Sequence, residues 1–431
     1  MQVRIHSRSI LFAVLALLPV CTGLKAQGDG SWTHFRGSRL NGISAEKGFP
    51  STWNDSLNIA WKVPEQGKGW SSPVVLDNQV WFTSADRETR EMRAICLDFE
   101  SGEKVHDQLI FQPDKLFRIH AVNSYATPTP AIETGKVYVH FGRYGTACLN
   151  TATGETIWKR SDLPCEHIQG PGSSLMIYKN KLIVHLEGTE NQQILALDKR
   201  SGETLWITER PSGVYKDMAP IGKKAYVTPI VMHVRGRELL ISNGSRACMA
   251  LDPVTGREIW RVIQGDDSTI SMPVEGGGLV FFYTSFVTGS DGRKYAELFA
   301  VDPDGAGDIT ETHIRWRMKA PILQLSTPVY VDGMLYTIDS EGVFYCLDAL
   351  SGKILWSEEL KGKFHSSPVY ADGLLYLSSI RGETLVYRAG PEPELLSRNR
   401  LDGEIWATPA FSRGAILMRT GKYLYKIVHT E

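Results

Sequence analysis

Cysteine is scarce, and charge of neither sign is in excess. The chain has 431 residues with 6 Cys, none adjacent to another, and 47 Lys plus Arg against 48 Asp plus Glu. Six cysteines are too few to staple a chain of this length, so a buried core must hold it. The near-zero balance leaves no bulk positive charge to release counterions from a phosphate backbone, which excludes a general nucleic-acid binder. Long apolar runs are also missing: the longest, residues 10–20, is too short to cross a bilayer of about 30 Å at about 1.5 Å per helical residue. No helical apolar periodicity competes with strand patterning, and no Walker loop, Gly-x-Ser-x-Gly elbow or His-Glu-x-x-His motif occurs. With 42% hydrophobic and 22% charged residues the chain is not disordered. Its length leaves the number of domains open.

Arg4 and Arg8 precede the apolar run, and Cys21, Gly23 and Ala26 follow it before a polar stretch from Gln27. This order is that of a secretory signal, residues 1–26, and predicts an exported protein, periplasmic or secreted. A second processing route removes residues 1–20 and lipidates Cys21 as a membrane anchor; Val20 is bulkier than such processing usually accepts.

The rest of the chain repeats one phrase: a Ser/Thr-Pro start, a short strand, a Gly or Asn turn, a second strand, a third strand ending in Leu-Asp, a Gly turn and a Trp. The starts end at Pro73, Pro128, Pro229, Pro273, Pro328, Pro368 and Pro409, with Ser173-Ser174 at the remaining place, and lie 40 to 55 residues apart. The third strands end in Asp98, Asn150, Asp198, Asp252, Asp302 and Asp348; two more, Leu385-Val386-Tyr387 and Leu424-Tyr425-Lys426, lack the acid. Trp158, Trp206, Trp260 and Trp356 follow the acid by eight residues, His106 stands in that slot in the first repeat, and an insertion delays Trp316. Four short strands per repeat of this length predict an all-β, eight-bladed propeller of four-stranded blades. The eighth repeat lacks a fourth strand, and Asn58-Ile59-Ala60-Trp61-Lys62-Val63 has the fourth-strand signature with nothing before it. That N-terminal strand is expected to complete the last blade. The expected organisation is a signal at 1–26, an N-terminal segment at 27–57 packing on the propeller, and one propeller domain at 58–431, as a monomer.

The repeat resembles the pyrroloquinoline-quinone-like eight-bladed propellers, which include quinoprotein alcohol dehydrogenases and the propeller lipoprotein of the outer-membrane protein assembly machinery. Trp32-Thr33-His34-Phe35-Arg36-Gly37 and residues 162–174 look like a stand-alone bacterial branch of that family. The resemblance implies fold more strongly than chemistry. Equivalent positions explain much of the rest. Cys96, Cys148 and Cys346 fill a slot that is Ala in other blades, so no disulfide framework is expected. Trp61, Trp158, Trp206, Trp260, Trp316 and Trp356 are expected to dock blade on blade, and the Leu-Asp acids to cap the following turn. Residues 302–308 superficially follow a calcium loop, but Ala306 and His313 stand where oxygen ligands are needed. No metal is expected.

What the repeat leaves over lies at one mouth of the channel, where the loop into each innermost strand should bring the residue three before each Pro. That ring reads Trp70, Tyr125, Pro171, Tyr226, Ile270, Leu325, His365 and Trp406. The polar groups His120, Asn123, Glu166, His167, Gln169, Lys216, Asp217 and Gln324 lie near it, and loop 162–172 departs from the repeat. Candidate binding residues are Trp70, Tyr125, Glu166, His167, Gln169, Tyr226, His365 and Trp406, with no catalytic residue assigned. The competing reading is that these rings pack on one another and fill the channel. Arg143, at a turn between second and third strands, is read as facing the opposite side.

The functional reading is an exported, non-catalytic envelope scaffold binding a protein, peptide or glycan, without a cofactor. The alternative is a dehydrogenase dependent on pyrroloquinoline quinone (PQQ) and calcium. The resemblance implies for such enzymes a disulfide between adjacent cysteines beside the quinone, which this chain lacks. Ring closure generates a prediction. Deleting residues 58–64 should abolish cooperative folding rather than trim one blade, and a thermal melt by circular dichroism unchanged from the full chain would overturn the closure.

Overall fold

The computed structural model describes residues 30–65, 67–321 and 324–429. The signal-like segment and Cys21 lie outside the described residues. Eight antiparallel sheets of four main strands form an eight-bladed propeller. Blade 1 comprises Val74–Leu76, Gln79–Ala85, Met92–Asp98 and Lys104–Phe111, and blade 7 comprises Val369–Ala371, Leu374–Ser378, Glu383–Arg388 and Glu394–Arg400. Blade 8 takes Ala410–Ser412, Ala415–Arg419 and Tyr423–Ile427 from the C-terminus, and its fourth strand is Ile59–Pro64, antiparallel to Tyr423–Ile427. The ring therefore closes through the N-terminal strand.

Each blade is joined to the next by the same local chemistry. In all eight, the pairing of third and fourth strands slips by one residue just before the docking position. The bulge twists the outer strand and blunts an edge that would otherwise offer a long flat pairing surface. It also turns the extra residue outward, which is why Val105, Ile157, Leu205, Leu355 and Leu396 are exposed aliphatics. The next side chain then points into the neighbouring blade. Trp61, Trp158, Trp260, Trp316 and Trp356 donate their indole N–H to Phe99, Lys199, Pro303, Ala349 and Gly390 carbonyls at 2.9–3.2 Å. His106 makes the same contact to Thr151 O at 3.1 Å. Only glycine fits beneath these rings, since a Cβ on Gly102, Gly202, Gly256 or Gly352 would fall 2.6–2.8 Å from an indole. The Leu-Asp acids cap the turns that present those glycines. Asp98, Asn150, Asp198 and Asp252 each accept two backbone N–H bonds.

A second belt runs inside the ring and explains the Ser/Thr that opens seven of the eight blades, Met272 standing in that place in blade 5. The backbone N–H of Ser72, Thr129, Ser174, Met272, Thr327 and Ser367 donates to the hydroxyl of Thr129, Ser174, Thr228, Thr327, Ser367 and Thr408 in the following blade at 2.9–3.1 Å. This belt corrects the expected register in two blades. Blade 2 starts at Thr129-Pro130, not at Pro128, and in blade 3 Leu175 holds the proline place.

The hub is filled by the N-terminal segment, which enters from the face of the hairpin turns between first and second strands and returns to it, where Gly48 N–H meets the Asp372 carboxylate. Trp32 exchanges backbone bonds with Val75, Ile132 donates to Thr33 O, and Tyr370 donates to Gly42 O. Ile177 N–H donates to His34 Nε2 at 3.2 Å. The Arg36 guanidinium, fully buried, donates to the carbonyls of Asn41, Thr327, Pro328 and Pro368. Phe35 and Leu40 pack on the apolar cluster spanning blades 4 and 5. Unpaired inner-edge groups of the first strands thus find partners in one irregular segment.

Blade 7 has Ser397 where six other blades place a Trp and blade 1 a His, and the N-terminal segment compensates. Trp53 stacks on Tyr376 at 6.3 Å and takes Asn399 Oδ1 through its backbone N–H at 2.8 Å. At the remaining seam, Arg419 grips Glu65 with both carboxylate oxygens at 2.7 Å and reaches across to Ser71 and Thr83 of blade 1. Both side chains are buried. Removing one partner strands the other charge, so Arg419→Met should lower unfolding free energy by about 3–5 kcal/mol in urea melts, and Arg419→Met with Glu65→Gln should recover part of it. Equal losses in the single and double variants would show that the pair does not latch the ring.

Candidate functional site

An up-and-down blade places the loop leading into its first strand and the turn between its second and third strands on one face. The lead-in face therefore also carries Arg143, contrary to the expected placement. Its guanidinium lies 3.5 Å over the exposed Phe117 ring of the loop into blade 2. That loop is braced by Tyr144, whose hydroxyl accepts the Phe117 N–H at 2.9 Å, and by Tyr125, whose hydroxyl donates to Phe117 O at 2.6 Å.

The corrected register changes the ring of lead-in residues. It is Trp70, Thr127, Gly172, Tyr226, Ile270, Leu325, His365 and Trp406. Tyr125 lies two residues upstream of its expected slot, buried as a brace, and Pro171 gives way to Gly172, over which the Tyr226 ring packs. Trp70, Ile270, Leu325, His365 and Trp406 are half-buried and form an apolar collar.

The candidate residues divide into two groups. In the sector of blades 7, 8 and 1, Trp70 and Trp406 stack at 5.1 Å and 18°, and the His365 ring meets Trp406 edge-on at 4.8 Å. Lys68 Nζ lies 4.9 Å over the Trp70 ring. Trp406 and an ammonium thus both pack against that indole. Burial, with help from Lys363, lowers His365 to about 4, so its imidazole is neutral at physiological pH.

In the sector of blades 2 to 4, the irregular loop is clamped inward. Cys165 Sγ and His167 Nε2 are 3.1 Å apart, and both side chains are buried. The His167 ring lies 5.9 Å from Tyr226. Glu166 accepts the Thr189 hydroxyl at 2.8 Å, and Gln169 offers its carbonyl to Asn123 Nδ2 at 2.8 Å. His120, Lys216 and Asp217 stay exposed on the rim. Burial, and secondarily the neighbouring His140 and His185, push His167 down to about 3, while burial drives the Cys165 thiol well up. A neutral thiol beside a neutral imidazole is the reverse of an activated nucleophile. His185 and Glu187 lie deeper, with Glu187 ion-paired to Arg210. Among the described residues no three His, Cys, Asp or Glu side chains converge to hold a metal ion.

Two features escaped the sequence reading. The N-terminal segment was expected to pack on the propeller, and what escaped is that it fills the hub, although Trp32, Phe35 and Arg36 crowd large side chains into a stretch outside the repeat. The other is an open cleft of about 830 Å³ between blades 7 and 8 beside Trp406, lined by Asn54, Asp55, Arg381, Arg400, Asp402, Glu404 and Lys422 among others. Its residues are scattered over both chain ends and leave no local pattern.

The buried imidazoles generate a pH prediction. Burial lowers His34 and His140 to about 4 and His167 to about 3, all from 6.5. Above 6.5 they are neutral folded or unfolded, and their contribution to stability is complete. As pH falls below 6.5 the unfolded chain binds protons that the folded chain refuses, so each site costs about 1.4 kcal/mol per unit. These three sites should together lower unfolding free energy by roughly 4 kcal/mol between about pH 7 and about pH 5.5, half-buried His365 adding to the drop in the same direction, and His167→Gln should reduce the whole by about a quarter to a third. A slope unaffected by the substitution would contradict the assignment.

Comparison with known proteins agrees with this architecture. A stretch of 95 residues is 32% identical to the outer membrane protein assembly factor BamB of Nitrosomonas eutropha, spanning 22% of each chain. The crystal structure of BamB from Moraxella catarrhalis superposes with a TM-score of 0.60 at 13% identity, covering 86% of this chain and 98% of that one. The quinohemoprotein alcohol dehydrogenase of Comamonas testosteroni gives 0.64 at 12% identity, covering 93% and 81%. At such identities these two structures show a shared fold. The family model described as outer membrane protein assembly factor BamB matches residues 53–162, 190–307 and 300–390. The chain belongs to that family.

Proposed function

We propose that the protein is an exported, non-catalytic scaffold of the cell envelope that holds a partner protein against its lead-in face during outer-membrane protein assembly. The observation that carries this reading is the half-buried apolar collar of Trp70, Ile270, Leu325, His365 and Trp406 around one mouth of a ring whose hub is already filled. A filled hub leaves surface rather than channel for recognition. The rim beside the collar adds exposed Phe117, Val122 and Ile221. Aromatic side chains with apolar neighbours and a polar surround are the composition of protein interfaces. A glycan platform is less well supported, because Trp406 and Lys68 already pack against the Trp70 ring on which a sugar would stack. The relative from Nitrosomonas eutropha, named as an assembly factor, supports an envelope role. The signal-like residues 1–26 support export, with Cys21 as the site of a lipid anchor in the second processing route.

The residues present do not fit the PQQ-and-calcium alternative. No two cysteines are adjacent, the mouth indoles close on each other rather than leaving a planar slot, and the described residues bring no acid cluster together for a cation. The calcium-like loop is spent on arginines, with Asp302 paired to Arg315 and Asp304 to Arg237. His167 is likewise unsuited as a general base, being buried and held by Cys165.

Affinity capture from envelope extract with wild-type protein, followed by identification of bound polypeptides, tests the proposal. Trp70→Ala with Trp406→Ala should lower recovery of the specific partner by roughly tenfold, as loss of an interface anchor does. Unchanged recovery would move the contact off the collar. Stoichiometric PQQ uptake with calcium, accompanied by alcohol-dependent dye reduction, would overturn the scaffold reading itself.

A further inference from the structure

We infer that the cleft between blades 7 and 8 receives a carboxylate of the partner protein, carried by an acidic peptide segment and bound by Arg381 and Arg400. This inference rests on the scaffold reading and adds the chemistry of the partner. The cleft is built where the chain ends meet. Its walls are residues 54–56 of the N-terminal segment, the blade 7 turn at Ile380 and Arg381, the loop Arg400–Glu404, and Lys422 of blade 8. Backbone bonds fix them: Ile380 N–H to Lys363 O, Leu401 N–H to Gly382 O, and Gly421 N–H to Glu404 O, at 2.8–2.9 Å. Gly403 sits at φ +101, with room for a Cβ removed by Thr420 Oγ1 at 2.8 Å. The opening is therefore preformed, and its volume is within the range of small-ligand sites.

The charges inside are unequal in how they are satisfied. Every carboxylate of the lining is engaged within the protein. Asp402 pairs with Lys422 Nζ at 2.8 Å, Asp55 accepts the Tyr425 hydroxyl at 2.9 Å and the Asp402 N–H at 3.2 Å, and Glu404 accepts the Trp406 indole N–H at 3.0 Å. Arg381 and Arg400 have no carboxylate partner among the described residues. Glu383, directly across the strand pair from Arg400, turns instead toward Arg398 at 3.6 Å. Two planar guanidinium forks facing one cleft whose acids are already occupied match a carboxylate, which they can bind bidentately. Through Glu404 the cleft adjoins the Trp406 indole, so an extended segment could place its acid on the arginines while its neighbouring residues meet the collar.

The test is fluorescence anisotropy of labelled hexaglutamate with the full-length protein. Wild type should bind saturably, more tightly at low salt than at high, and Arg381→Ala with Arg400→Ala should weaken binding by roughly tenfold or more. Lys216→Ala, on the far rim, should bind as wild type does. Absence of saturable binding, equal binding by the double variant, or tighter binding of hexalysine would each overturn the inference. Flotation with phosphatidylglycerol vesicles, lost in the double variant while hexaglutamate binding is not, would also overturn it by assigning the arginines to lipid phosphate. Partner capture that depends on Trp70 and Trp406 but not on the arginines would leave the scaffold reading intact and remove only the cleft. Capture lost in neither variant would remove the scaffold reading at this face.

Discussion

A ring of blades has a hole at its centre, and the inner edge of each first strand presents backbone groups to it. Everything else in this structure depends on how those groups are satisfied. Here one segment does it for blades 1, 2, 3, 6 and 7. Residues 30–49 bring backbone to Val75, Ile132 and Tyr370, an imidazole to Ile177, and a guanidinium to the carbonyls of Thr327, Pro328 and Pro368. Among the described residues the cation at this axle pairs with no carboxylate. Its charge is met by carbonyl dipoles, and burial lowers its pKa to about 9. His34 must stay neutral for the same reason, because Nε2 accepts the Ile177 N–H and so cannot carry a proton.

The same segment then leaves the hub, covers the blade 7 junction that lacks a docking tryptophan, and continues as the fourth strand of blade 8. Axle, patch and latch are thus consecutive in sequence, while their partners are spread from Ser71 to Ile427. Their contacts to Thr327, Pro328, Pro368, Tyr370 and Tyr423–Ile427 can form only once the last three blades exist. Contacts of such separation carry a large loop-closure cost before they are rewarded. The bulges and indole contacts between neighbouring blades offset this by making each blade-to-blade step local.

How much was legible in the sequence follows from that division. Blade number, docking tryptophans and capped turns could be read because each is enforced by residues a few positions apart, as with Asp98, Gly102 and His106. The register of blade 2 could not. Thr127-Pro128 and Thr129-Pro130 are locally equivalent, and only the Ser72 N–H bond to Thr129 Oγ1, made by another blade, chooses between them. The hub was illegible for a related reason. Arg36 is held by main-chain carbonyls, which any residue supplies, so its partners leave no mark in sequence. At the mouth, position identified Trp70, His365 and Trp406, whereas the mutual stacking that closes their faces is a tertiary property. His167 was singled out as a binding residue, and its burial against Cys165 takes it out of reach of a partner.

The geometry also bears on how binding and closure are linked. The collar members Trp70, His365 and Trp406 come from blades 1, 7 and 8, and the cleft combines residues 54–56 with residues 380–422. Trp70 joins His365 and Trp406, and residues 54–56 join residues 380–422, only when the Glu65–Arg419 latch is shut and Ile59–Pro64 has paired. A partner gripping this sector binds only the closed ring, and a ligand that binds one state alone stabilises it by mass action. The seam, the one junction assembled from both chain ends, is then the place where occupancy adds most to the integrity of the whole. In the sector of blades 2 to 4, where chain continuity already holds neighbours together and the loop is clamped by Cys165 and His167, a partner would gain contact area but would have no closure equilibrium to shift.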